Sequence, residues 1–68
     1  MLSRGNLVYV EATAEWPAHI PFHRLDWDGG RRQARVLDVR LPTLILLEVV
    51  GVLLPQAVPR EWVTRIEP

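Results

Sequence analysis

Two histidines, His19 and His23, stand four residues apart in the stretch WPAHIPFHRLDW, residues 16–27. On a helix that spacing would bring both imidazoles to one face, as a zinc site requires. Pro21 lies between them and disfavours the helix. On an extended strand the two rings would be about 13 Å apart. The chain has no cysteine to complete a ligand set, so neither a metal nor another cofactor is expected. Acid–base chemistry is no better supplied. His23 with Asp26 or Asp28 could form a dyad, but catalysis needs such a pair held in a pocket, and a chain of 68 residues has little room for a buried cleft. The only serine, Ser3, lies in a terminus expected to fray, and the threonines have no obvious base nearby. Gly29 and Gly30 are accounted for by a turn, not by a phosphate-binding loop. The expectation is a protein that is not an enzyme.

Arginine and aromatic residues offer a second kind of chemistry. All eight basic residues are arginine. Arg31, Arg32 and Arg35 form the densest basic patch, close in sequence to Trp16, Phe22 and Trp27. Arginines interleaved with aromatics can bind single-stranded nucleic acid by stacking and phosphate contact. Asp26 and Asp28 weaken that patch, and the chain is neutral overall, with eight acidic residues against eight basic. A general nucleic-acid binder normally carries a basic face. Nucleic acid is therefore the alternative ligand, and cross-strand ion pairing is the plainer use of these arginines.

Tryptophan, phenylalanine and arginine are also enriched where one protein binds another. Trp27 and Trp62 are expected to fill the core. Trp16 precedes a proline in a loop and is expected to leave its indole exposed in the isolated chain. With His19, Phe22, His23 and Arg24 it makes the candidate partner-binding surface: a loop whose aromatics partly close the fold and partly face a partner.

Short strands must position these groups. LVYVEA, residues 7–12, alternates and is rich in β-formers. FHRLDW, residues 22–27, reads as an extended run, and Asp28-Gly29 signals a hairpin leading into RRQARVLDVRL. There Ala34 and Val36 point one way while Val39 and Leu41 point the other, so the alternation slips near Leu37 and Asp38, as a β-bulge would cause. TLILLEVVGVLL, residues 43–54, is rich in β-branched residues and carries Gly51. It reads as a central strand with Ile45, Leu47 and Val49 on one face and Leu44, Leu46 and Glu48 on the other. Gly51 is expected to bend the chain into another short strand; a helix over 43–54 is the alternative. As a helix it would reach only about 18 Å, short of the roughly 30 Å of a bilayer core, so no membrane partner is expected. The opening residues do not read as a secretory leader, and the lack of cysteine suits a reducing compartment. A cytoplasmic location is the expectation. In the tail Pro59 starts a single 3₁₀ turn through Arg60 and Glu61, and WVTRI, residues 62–66, forms the last strand.

That tail resembles the close of SH3-like small β-barrels, which commonly end with a proline, one 3₁₀ turn, an aromatic residue and a short strand. Pro59, Arg60, Glu61, Trp62, Val63 and Ile66 match this order. The resemblance implies an all-β barrel of about five strands formed as one domain over residues 1–68. It does not imply proline-rich peptide recognition: peptide-binding SH3 domains carry an acidic first loop and a tryptophan pair after the second strand, where this chain has WPAHIPFHR and no pair. SH3-like barrels also serve as ribosomal and DNA-binding modules, phage connector parts and enzyme subunits, so the fold does not decide the function. Hydrophobic residues make up 49% of the chain, more than so small a body readily hides. The expected function is a non-catalytic protein-interaction or assembly module that covers this surface by self-association.

Overall fold

Among the described residues, five strands and one 3₁₀ turn follow one another: β1 (Leu7–Ala12), β2 (Gly30–Asp38), β3 (Leu44–Val49), β4 (Gln56–Pro59), η1 (Arg60–Trp62) and β5 (Val63–Arg65). The computed structural model describes residues 2–12, 16–20, 25–27 and 29–66. Phe22, His23, Arg24 and Asp28 lie outside the described residues. The protein is all-β, without α-helix among the described residues, so the helical alternative over 43–54 falls away. Among the described residues no helix is long and apolar enough to cross a membrane.

All the strands join one antiparallel sheet in the order β4-β3-β2-β1-β5. A flat sheet would hold its edge strands, β4 and β5, about 19 Å apart at roughly 4.8 Å per strand gap. Only η1 connects them. Even fully extended, that connection spans at most about 14 Å, and a 3₁₀ turn rises only about 2.0 Å per residue. The sheet must curl to bring its edges together, and the result is a half-closed barrel.

Alternation decides what the barrel encloses. Val8 and Val10 of β1, Ala34 and Val36 of β2, Ile45, Leu47 and Val49 of β3, and Val58 of β4 all turn inward and pack with Trp62. The outward positions of β3 become progressively wetter, from buried Leu44 through half-buried Leu46 to exposed Glu48. The phase slip read near Leu37 is a register shift: Val36 opposes Leu47 and Asp38 opposes Leu46, leaving Leu37 as the extra residue of a bulge. Gly51 (φ +81°) takes the left-handed position of a turn closed by the Val52 N–H donating to the Val49 carbonyl at 3.0 Å.

Four local expectations are corrected or refined. Among the described residues, the hairpin expected at Asp28-Gly29 is not seen. Gly30 instead opposes Ala12 of β1, and Leu25, Asp26 and Trp27 are not in a strand. Gly29 (φ +88°) and Gly30 (φ +76°) turn the chain into β2, where a side chain on Gly29 would meet the Ala12 carbonyl at 3.3 Å. After Gly51 the next strand begins only at Gln56, because bends occupy Leu53 and Leu54 and Pro55 precedes the strand. Pro59, read as the start of the turn, is its N-cap and at the same time the last residue of β4. It fits there because the neighbouring Arg60 N–H points at β3, donating to the Thr43 carbonyl at 3.0 Å, so the ring nitrogen of Pro59 faces the open edge where no ladder donor is needed. Nor does Ser3 fray. The Asn6 N–H donates to its carbonyl, Asn6 Oδ1 accepts from its N–H at 2.8 Å, and the Gly5 N–H donates to the Val36 carbonyl at 2.8 Å.

Candidate interaction surfaces

The loop between β1 and β2 is held by its aromatics. Trp16 Nε1 donates to the Ile20 carbonyl at 2.9 Å, and the Ile20 N–H donates to the Pro17 carbonyl at 3.1 Å, forming a short knuckle with Ile20 buried beneath it. The Trp16 ring meets Trp62 edge-to-face, with centroids 5.4 Å apart and planes at 84°. Trp16 is thus half-buried cover over the core and not an exposed indole, because the knuckle folds it back on Trp62. His19 is exposed on the knuckle's turn. Trp27 also packs against the core, and its indole N–H is buried without a hydrogen-bond partner among the described residues.

Sequence reasoning passed over Gln56, which ties the far end of this loop to β4. It is only 3% exposed. Its Oε1 accepts the Asp26 N–H at 3.1 Å, while Nε2 donates to Asp26 Oδ2 at 2.9 Å and to the Leu54 carbonyl at 3.0 Å. The amide therefore takes the place of a neighbouring strand. No periodicity points to such a role, since its partner lies thirty positions away. Gln56→Leu keeps the volume but strands these groups, a loss of about 1–3 kcal/mol. A shift of the urea midpoint at constant slope would check it.

The three arginines do not form one patch. Arg31 and Arg35 occupy the outward positions of β2, opposite Glu11 and Glu48, while Arg32 has the inward parity, opposite Val10. Arg31 stacks on Tyr9 with its guanidinium carbon 3.9 Å from the ring centroid. Arg35 Nη1 donates to the Gly5 carbonyl at 3.1 Å, and Arg32 Nη1 to the Val50 carbonyl at 3.1 Å. Arg60 likewise serves the fold, donating to the Leu41 carbonyl at 3.2 Å and to those of Val39 and Pro42 at 3.4 Å, which pins the β2–β3 loop.

At the end of β2, Asp38 accepts from the Arg40 N–H at 2.8 Å and from the Arg40 guanidinium at 2.7 Å. The Arg40 side chain foremost, then its backbone N–H, lowers the Asp38 pKa to about 2. A depressed carboxylate stabilises the fold above its unfolded pKa, near 4, and that contribution fades as pH falls through 2. Both groups reach solvent, so the effect on stability is small. A carboxyl-carbon NMR titration should place the Asp38 midpoint near 2, and Arg40→Ala should move it up toward the ordinary value.

The largest exposed apolar residues cluster in the β3–β4 loop. Val50 is 62% exposed, Leu53 96% and Leu54 60%. Val50 also borders a shallow cleft of about 410 Å³ on the outer face of the sheet, whose walls include Leu7, Gln33, Arg35, Glu48 and Val52. Arg35 and Glu48 are directly opposed across β2 and β3 there. Among the described residues no group of three or more potential metal ligands comes together. No family model matches the chain, and no curated protein and no solved structure matches it either.

Proposed function

We propose that the chain is a small barrel of SH3-like type acting as a non-catalytic protein-interaction or assembly module. The strand order, the close of β4 through η1 into β5 and the inward Trp62 support the barrel type. The observation that carries the function is the exposed run Val50, Leu53 and Leu54 beside a cleft of mixed polarity. Single exposed leucines are ordinary on a surface, but a cluster next to a cleft marks a place where a partner removes apolar area from water. The polar groups gathered by the fold hold loops in place: Gln56 with Asp26, Arg60 with the carbonyls of residues 39, 41 and 42, Arg40 with Asp38. They do not converge on a reacting centre, which is why a binding role is preferred to a catalytic one.

Nucleic acid is the competing ligand, with Tyr9, Arg31 and Arg35 on one face as its stacking and phosphate groups. Titrating a fluorescent single-stranded oligonucleotide separates the two. The interaction-module reading expects no binding at low salt. It also expects retention on a hydrophobic column that Leu53→Asp reduces without changing the melting temperature. Tight oligonucleotide binding that weakens steeply with salt, is lost in Arg31→Ala and Arg35→Ala and is indifferent to Leu53→Asp would overturn it.

A further inference from the structure

We infer that the occupant of this apolar loop and cleft is a second copy of the same chain, paired about a two-fold axis so that each β3–β4 loop sits in its partner's cleft. This rests on the interaction-module reading and names its partner. Three observations carry it. The projecting residues and the cleft adjoin, because Val50 belongs to both. A projection beside its own complement closes as a dimer, since one two-fold operation makes both insertions at once, whereas a projection remote from its complement would build an open chain. The cleft volume of about 410 Å³ equals on the order of a dozen water molecules at about 30 Å³ each, space for leucine side chains such as Leu53 and Leu54.

Charge supplies the second argument. Arg35 and Glu48 face each other within the cleft, so a two-fold pairing can set Arg35 of each copy beside Glu48 of the other. The chain's net charge is zero, and no long-range repulsion opposes the encounter. Area is the third. A stable interface covers about 800 Å² per partner, roughly a sixth of this chain's 4732 Å² surface. The broad aspect of the molecule, 29 × 25 Å, offers a footprint of that order.

Sedimentation equilibrium of the full chain over micromolar to millimolar concentration tests this. The expected result is a reversible dimer that Leu53→Asp weakens at least about thirtyfold, as loss of a hot-spot side chain does. Because Leu53 is almost wholly exposed, the variant's melting temperature should match wild type when both are measured below the dimer's dissociation constant. Arg35→Glu and Glu48→Arg should each be monomeric alone, since each homodimer would juxtapose like charges. Mixed one to one, they should recover a heterodimer in which both charge contacts are complementary. A wild-type chain that stays monomeric at millimolar concentration overturns the inference but leaves a different protein partner for the loop. A dimer that survives Leu53→Asp, or charge variants that fail to recover on mixing while each retains its fold by circular dichroism, also overturns it. The salt-sensitive oligonucleotide binding described above would instead remove the interaction-module reading itself.

Discussion

Replacing Trp62 with alanine is expected to leave the chain largely unfolded at room temperature. Trp62 ends the 3₁₀ turn that carries the chain from one edge of the sheet to the other, and it is only 6% exposed. Its ring fills the inner layer with Val8, Val10 and Val58, and Trp16 lies edge-on against it. Truncating a buried tryptophan to alanine costs about 3–5 kcal/mol through lost burial and the cavity left behind. A single core in a domain of this size rarely supplies more than about 3–5 kcal/mol in all. The substitution therefore removes about as much as the fold has. Thermal melts followed by circular dichroism should show no cooperative transition in Trp62→Ala, while Trp62→Phe keeps a cooperative but lower one. Since 1 kcal/mol moves the midpoint of such a domain by about 4–8 °C, a Trp62→Ala midpoint within a few degrees of wild type would show that this ring does not close the barrel.

The parts of this fold that were legible in the sequence are those set by neighbours along the chain. Inward and outward positions of β3 follow from alternation over Leu44–Val49, and the bulge at Leu37 shows as a break in that alternation. Pro59, the turn after it and Trp62 follow one another in the order that the residue types suggest. What escaped was set by pairings distant in sequence. Asp28-Gly29 has the composition of a hairpin, yet Gly30 pairs with Ala12 because β1 supplies the longer ladder, running from Leu7↔Arg35 to Ala12↔Gly30. A local turn preference worth a fraction of the interaction energy cannot compete with six cross-strand pairs. Gln56 was invisible for the same reason, since its value comes from Asp26 and not from its own strand. The arginine patch dissolved once strand parity was applied, which sends Arg31 and Arg35 to one side and Arg32 to the other. The exposed Val50, Leu53 and Leu54 carried a signal only in retrospect. In the sequence they continue an apolar run that looks like core, and it takes the turn at Gly51 to put them outside.

Trp16 then takes a different role from the one its loop position suggests, and a substitution series distinguishes the two. An exposed anchor could be truncated without harm to the fold. A ring stacked on Trp62 and hydrogen-bonded to the Ile20 carbonyl cannot. Trp16→Ala is expected to destabilise by about 2–4 kcal/mol. The low end of that range reflects partial exposure, and the high end approaches the cost of a buried aromatic. Two smaller contributions can be separated within it. Trp16→Phe keeps most of the ring but leaves the Ile20 carbonyl without its donor, a cost of about 1 kcal/mol. Edge-to-face pairing with Trp62 adds about 0.5–1.5 kcal/mol beyond area, which a cycle of Trp16→Leu, Trp62→Leu and the double variant should return as a coupling energy, because each single substitution removes the ring pair. Denaturant midpoints measured at equal slope are the readout. A Trp16→Ala variant as stable as wild type would mean that the knuckle of residues 16–20 lies loosely on the core, and the β1–β2 loop would again be the place to look for a partner. If instead Trp16→Ala loses stability while a dimer formed by the β3–β4 loop persists among the folded molecules, the two loops have separate tasks: one closes the barrel and the other presents the surface.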